Sequence, residues 1–313
     1  MSNISMQLSY SSIGMYLDCK RKYWWKYIRG IVPIKFNKAY LVGGVVHHGI
    51  FQLYAKNPNA IEETMQYFYD EVQVLRESKA NMSADVEQSL VEQEYVIRGI
   101  LGAYLQRYED IIAATVHHEN EHELTFSVTP DIKIIASLDN LLDSGDGKLV
   151  HEIKTTKSLT PEYVKNIQNS LQACMYFHGY NQEHPNDQLI GIMYDVIKKP
   201  SIRLKKSESY DAYLNRLLEY YEDPKNPDLF YMEIIKFPLL GKKRVYETVE
   251  GVGNEIITNK EDRSKYYCND KFCYVYSRCE YYDICHYGEN PSTLMNFKDR
   301  EIGDFSTTVN IGE

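Results

Sequence analysis

Two β-rich runs, IKIIASLDNLL over 132–142 and KLVHEIKTT over 148–156, flank the turn residues Ser144, Gly145, Asp146 and Gly147. That arrangement is a hairpin signal, because glycine supplies the positive φ that tight turns need. Centring the turn between Gly145 and Asp146 sets Asp143 against Lys148 and Asp139 against Glu152. Opposed side chains in an antiparallel pair have β-carbons roughly 4.5–5.5 Å apart on one face, so two carboxylates are forced together. Side chains alternate along a strand, so Lys154 joins Glu152 while Ile153 points the other way, into apolar surroundings. Like charges this close repel unless one takes a proton or a cation lies between them. Two carboxylates with the Ile153 carbonyl beside them form an oxygen-lined pocket suited to Mg²⁺ or Mn²⁺. The competing reading is a hairpin whose acids simply face solvent.

The surrounding pattern is mixed. Apolar residues recur at three- and four-residue spacing through the first third (Ile13, Tyr16, Leu17; Met65, Phe68, Val72; Ile97, Leu101, Tyr104, Tyr108), which predicts helices from Ser9–Ser12 onward, over 61–76 and over 84–108. Gly43-Gly44 predicts a break before a helix over VVHHGIFQLY, where His47 or His48 offers a nitrogen ligand. After about Glu121 the runs become β-rich (ELTFSV, then the hairpin). Thr160-Pro161 then predicts an N-capped helix to about Tyr180. Gln172 and Tyr176 share one face of that helix, and there could hold a phosphate or orient a water; each alone also reads as an ordinary surface polar residue. LIGIMYDVI and FYMEIIKF predict strands on either side of a helix over 210–221.

Composition narrows the class. The 313 residues are 43% hydrophobic and carry a formal charge of −9, which argues against general attraction to nucleic acid but leaves room for a local patch at Lys198-Lys199, Arg203 and Lys205-Lys206. The 28 tyrosines read as core-and-rim residues or as base-stacking platforms. No run approaches the roughly 18 apolar residues of a membrane span, and the N-terminal stretch lacks a secretory pattern, so a cytoplasmic location is expected. Four of six cysteines (Cys268, Cys273, Cys279, Cys285) crowd together, which in a reducing compartment points to metal rather than disulfides. Cys174 reads as a small core residue.

In this order the residues resemble the RecB-like branch of the PD-(D/E)xK nuclease superfamily, in particular its iron–sulfur-containing members of AddB-like, CRISPR-adaptation and phage-exonuclease type. The resemblance is carried by Ser11 to Cys19 followed by RKYWWKYIRG, Gly43 to His47, Asp139, Glu152-Ile153-Lys154 with the threonines behind, Gln172 to Tyr176, and YDVIKKP. Leu138 replaces the proline of the superfamily name. The resemblance implies an α/β fold: a restriction-endonuclease-like core with a central mixed β-sheet flanked by helices, a helical N-terminal part and a C-terminal metal-cluster segment. It implies one nuclease domain over 1–289 (helical region about 9–115, catalytic core about 120–240, cysteine segment 265–289), with a polar tail over 290–313.

The activity implied is that of a Mg²⁺- or Mn²⁺-dependent deoxyribonuclease, an exonuclease or end-processing enzyme on single-stranded DNA. His47, Asp139, Glu152 and the Ile153 carbonyl would hold metal, with His48 the alternative to His47; Lys154 would orient or deprotonate the attacking water, and Gln172 and Tyr176 would position the strand. Cys19, Cys273, Cys279 and Cys285 would hold a structural [4Fe–4S] cluster. The alternative is Zn²⁺ on Cys268, Cys273, Cys279 and Cys285, as in a non-catalytic nucleic-acid-binding or assembly module stapled by that site. No GxxxxGK[ST] phosphate loop occurs, so coupling to a helicase or recombination machine would need a partner protein.

Overall fold

The computed structural model describes residues 6–34, 38–77, 84–223, 225–236, 241–260, 262–275 and 277–300. Strand β1 (Met6–Leu8) leads into helix α1 (Tyr10–Asp18), whose start is fixed by a reciprocal cap: Ser9 accepts from the Ser12 amide and Ser12 from the Ser9 amide. Helix α2 (Lys20–Tyr23) runs into a π-helical turn over Trp24–Ile28 and strand β2 (Ile31–Pro33). Three long helices follow, α3 (Lys38–Tyr54), α4 (Ala60–Glu77) and α5 (Ala84–Ala114). Strands β3 (Val116–Thr129), β4 (Ile132–Asp143) and β5 (Lys148–Thr156) then form an antiparallel meander.

The chain continues through α6 (Pro161–Gln168), α7 (Leu171–Glu183), strand β6 (Leu189–Lys198), α8 (Tyr210–Glu222), strand β7 (Phe230–Ile235) and α9 (Lys242–Asn259). Short helices α10 (Tyr282–Tyr287) and α11 (Pro291–Leu294) lead to β8 (Phe297–Asp299), which pairs antiparallel with β2. The beginning of the expected polar tail thus closes back on the N-terminal part; 301–313 lie outside the described residues.

The main sheet is mixed, as expected. Its order is β1-β4-β5-β6-β7 with β3 on β4; β1–β4 and β5–β6 are parallel, the other pairs antiparallel. Helices cover both faces. One apolar layer joins Leu138, Val150, Tyr194 and Val196 to residues of α1, α7 and α9; the other joins Ile153, Met193 and Ile197 to residues of α3, α4, α5 and α8. Each fully buried aliphatic side chain here contributes about 1.5–3 kcal/mol.

Where β4 meets its neighbours decides the site. Gly145 and Gly147 take positive φ in the turn, and the predicted register holds from Asp143↔Lys148 to Asn140↔His151. The ladder then stops, because β4 leaves β5 and pairs along the same direction with β1 at Ile132–Ile134. The expected Asp139–Glu152 rung is therefore not a ladder pair: both acids stand where the two strands part.

Three other expectations change. Gly43-Gly44 does not break α3, which runs through both glycines; Gly43 lies where a β-carbon would come within 3.4 Å of Thr155 Oγ1, so the helix passes close to the end of β5. The helix expected from Pro161 to Tyr180 is two, parted at Asn169 because Ser170 caps a second start by accepting from the Ala173 amide. Helix α9 was not foreseen, although Val245, Val249, Val252 and Ile256 bury one stripe of it.

Candidate active site

Glu152 is 1% exposed, on the face of β5 turned toward Tyr194 and α7. Its Oε1 accepts from Lys154 Nζ, while its Oε2 is buried with no hydrogen-bond partner among the described residues. An orphaned buried carboxylate oxygen costs free energy unless a cation or donor reaches it. Asp139 comes from the other side of the parting strands, and its Oδ2 accepts from the Ile153 amide at 2.9 Å. His47 Nδ1 lies 3.7 Å from the same Asp139 oxygen. Of the adjacent histidines His47 is the one at the acids; His48 stacks on Tyr67 at 4.4 Å between ring centroids.

The electrostatics follow from crowding. Burial, then the neighbouring Asp139 charge, pushes the Glu152 carboxyl up to about 7. Burial likewise raises Asp139, with the Lys154 ammonium and the Ile153 amide pulling the other way. For Lys154, burial works against the ammonium, but the two carboxylates outweigh it and hold the group above its ordinary range. His47 is lowered to about 4 by burial, so its ring is neutral at physiological pH and has a lone pair to offer. Two acids, one of them with an orphan oxygen, and a neutral imidazole are groups of the kind that divalent cations take as ligands.

Among the described residues the edge of β4 between its β1 and β5 partners has no ladder partner, and α7 supplies a hydrogen bond there. Tyr176 donates its hydroxyl to the Ser137 carbonyl at 3.0 Å, and Gln172 Nε2 donates to that hydroxyl at 2.7 Å. The pair expected to touch a phosphate or water is turned inward, bracing the strand that carries Asp139. Among the described residues no set of three or more His, Cys, Asp or Glu side chains is arranged to hold a metal ion. At the acids the reason is visible: Lys154 is folded onto Glu152, and Asp139 is spent on a backbone amide.

The opposite face of β5 carries polar residues that sequence reading passed over. His151, Asn140 and Asp195 are all fully buried. His151 Nε2 lies 3.2 Å from Asp195 Oδ2, Tyr104 donates its hydroxyl to the same oxygen, and Asn140 Nδ2 stands 3.4 Å from His151 Nδ1. The alternation that sends Ile153 inward does the same for His151, so the signal was present.

The cysteines converge. Cys19 sits at the α1–α2 junction with its Sγ facing the Asn269 amide at 3.5 Å, and the Arg21 amide donates to the Tyr267 carbonyl at 3.1 Å. Trp25 Nε1 donates to Cys285 Sγ at 3.1 Å. Burial raises the thiols of Cys273, Cys279 and Cys285, the last to about 12, and neighbouring cysteines reinforce this: Cys19 acts on Cys273 and Cys279, Cys268 on Cys273 and Cys285. Cys268, outside the expected iron–sulfur set but in the zinc alternative, is thus in the same neighbourhood. Cys174 is buried in the core on α7, away from this group, as expected.

A sequence profile of the PD-(D/E)XK nuclease superfamily matches residues 7–286, and the chain belongs to that superfamily. Its fold is accordingly restriction-endonuclease-like, and nucleases of this superfamily generally use divalent metals such as Mg²⁺ or Mn²⁺. Among solved structures it is similar to a protein of Eubacterium rectale titled "Putative exonuclease", at 11% identity over 91% of this chain and 88% of that one, with a TM-score of 0.48. No curated protein matches. No helix among the described residues is long and apolar enough to cross a membrane.

Proposed function

We propose that the chain is a metal-dependent deoxyribonuclease of the RecB-like branch, an exonuclease or end-processing enzyme on single-stranded DNA. The observation that carries this reading is the set of neighbours of Glu152 Oε2: a buried carboxylate oxygen without a hydrogen-bond partner among the described residues, it stands beside a second acid and a neutral histidine. His47, Asp139, Glu152 and the Ile153 carbonyl would hold Mg²⁺ or Mn²⁺. A bound ion supplies Lewis acidity at the scissile phosphate and lowers the pKa of the attacking water. Lys154, held on Glu152 here, would orient that water and offset charge developing on the phosphate. Tyr176 and Gln172 act behind this set, holding β4 through the Ser137 carbonyl.

The same proposal reads 1–289 as one nuclease unit with a structural [4Fe–4S] cluster on Cys19, Cys273, Cys279 and Cys285, and Zn²⁺ as the alternative. Two observations support this reading: Cys19 lies close enough to act on the Cys273 and Cys279 thiols, and the indole N–H donated to Cys285 Sγ would support a thiolate. With no phosphate loop of its own, the enzyme would take any ATP-driven unwinding from a partner.

The test is incubation of the purified protein with labelled single- and double-stranded DNA in Mg²⁺, Mn²⁺ or chelator. Cleavage is expected only with metal, and Glu152→Ala or Lys154→Ala abolishes it in folded protein. Cleavage that persists in both variants overturns the assignment. Anaerobically purified protein is expected to be brown; colourless zinc protein selects the alternative.

A further inference from the structure

A groove of about 1520 Å³, lined by none of the site residues, is left unused by the catalytic reading. It is walled by the α1–α2 region, the start of α3, the start of α5, the segment after β6 and the cysteine segment. Seven Lys and Arg line it against three Asp and Glu, the reverse of the −9 balance of the whole chain. A local excess of cations in an acidic protein marks a polyanion site rather than a solvated face.

Three features narrow the polyanion. Lys157 and Lys199 come together because the Lys199 amide donates to the Thr156 carbonyl at 2.7 Å, and neither ammonium has an acid partner among the described residues. Burial first, then the Lys157 and Lys38 charges, holds Lys199 below the usual lysine value, as expected for cations gathered without an anion. Tyr40, 80% exposed in the same groove, is an aromatic ring that packing does not account for.

The groove also leads to the acids by two routes. Lys157 lies three residues beyond Lys154, about 10 Å of extended chain. Tyr40 lies seven residues before His47 on α3, which puts both on one helical face about 10 Å apart.

We propose that this groove binds one unpaired strand of nucleic acid, its phosphates on Lys157, Lys199 and Arg203 and a base stacked on Tyr40, and delivers it to the acids at His47 and Glu152. This deepens, and rests on, the nuclease reading. A single strand is favoured over a duplex because stacking on Tyr40 needs an unpaired base face.

The test is fluorescence anisotropy in chelator, which prevents cleavage, with a labelled single-stranded oligonucleotide of about 12 nucleotides and the matching duplex. Wild type is expected to prefer the single strand. A Lys157→Ala/Lys199→Ala double variant should bind on the order of ten-fold more weakly near about 0.1 M salt, with the salt slope reduced by roughly 0.7 per lysine. Tyr40→Ala should weaken single-strand binding about ten-fold with the slope unchanged. Lys243→Ala, an exposed lysine on α9, should change neither. Wild-type binding by the double variant, or equal affinity for the duplex, overturns the proposal. Cleavage in Mg²⁺ is read separately. Wild-type cleavage with groove variants that bind normally removes the groove alone; groove-dependent binding without cleavage removes the nuclease reading and leaves a strand-binding site.

Discussion

The two faces of β5 each border a buried acid, and they treat it differently. Behind the strand, Asp195 has His151 and Tyr104 on its Oδ2, while its Oδ1, like Glu152 Oε2, is buried without a hydrogen-bond partner among the described residues; it faces no second acid, and all three side chains are sealed from solvent. In front, Glu152 faces another acid, and among the described residues its hydrogen-bond partner is Lys154. The front also opens outward, with side-chain exposures of 34% at Lys154, 25% at His47 and 22% at Asp139. Glu152 and Asp195 themselves are equally deep, at 1% and 0% exposed. A buried acid surrounded by donors ties strands and helices together, whereas one set against a like charge is held in a state that only a proton or a cation relieves.

The largest effect that could break this contrast is on turnover. Glu152→Ala or Lys154→Ala should lower the cleavage rate on the order of a thousand-fold, while the melting temperature of metal-free Glu152→Ala stays level or rises because a repelling charge is gone. Asp195→Ala should do the reverse: it leaves His151 and Tyr104 buried without their acceptor, costs about 1–3 kcal/mol, and keeps cleavage within about ten-fold at saturating metal. Steady-state rates and thermal melts on the same preparations decide it. If Asp195→Ala loses as much turnover as Glu152→Ala at full stability, the back face is not merely structural.

Next in size is the cysteine segment, which contains only short helices between its cysteines and depends on side chains. Cys19→Ala should release the bound metal or cluster and lower the melting temperature by roughly 10 °C. Cys174→Ala, a small change in the α7 core, should leave metal content unchanged. Metal analysis beside the melts separates the two, and retained metal in Cys19→Ala would remove Cys19 from the site.

A smaller effect concerns pH in chelated protein. Glu152 is raised from 4.5 to about 7, so on unfolding it gives up its proton first and stability falls as pH rises through that window. His47 is lowered from 6.5 to about 4, so the unfolded chain takes up a proton first and stability falls as pH drops through that window. In wild type the two slopes oppose. Glu152→Gln should leave a stability that declines toward acid, and His47→Gln one that declines toward neutral pH, each by at most about 1.4 kcal/mol per pH unit. Denaturant melts between pH 4 and pH 7 read the sign directly, and like slopes in the two variants would separate the groups.

What the sequence made legible was set by short-range rules. The Gly145–Gly147 turn fixes the register to Asn140↔His151, and alternation assigns the faces of Glu152, Ile153 and Lys154. The pair His47-His48 left its ligand open in the sequence; in the fold His47 Nδ1 lies 3.7 Å from Asp139 Oδ2 and His48 stacks on Tyr67. What stayed hidden depends on distant partners. Nothing local says that β4 will leave β5 for β1 beside Asp139, since β1 is three residues long and far away in the chain. The α6–α7 break was in principle readable from Ser170, but an unbroken helical pattern outweighed a single capping residue. The buried His151–Asp195 pair needed the parallel neighbour β6, whose register sequence alone does not set.

The smallest expected effect tests how the contrast is maintained. Ser137 lies on the part of β4 between its β1 and β5 partners, and its carbonyl takes the Tyr176 hydroxyl instead. Tyr176→Phe keeps the ring packed and removes that hydrogen bond together with the one the hydroxyl accepts from Gln172, a loss of about 1 kcal/mol for each. If Tyr176 braces β4 as a positioning residue, the variant should lower kcat a few-fold through Asp139 and raise the metal concentration needed for half activity, with KM for DNA unchanged. A rise in KM alone, with the metal requirement intact, would instead put the hydroxyl on the substrate, and α7 would join the front face of β5 as part of the binding surface rather than its support.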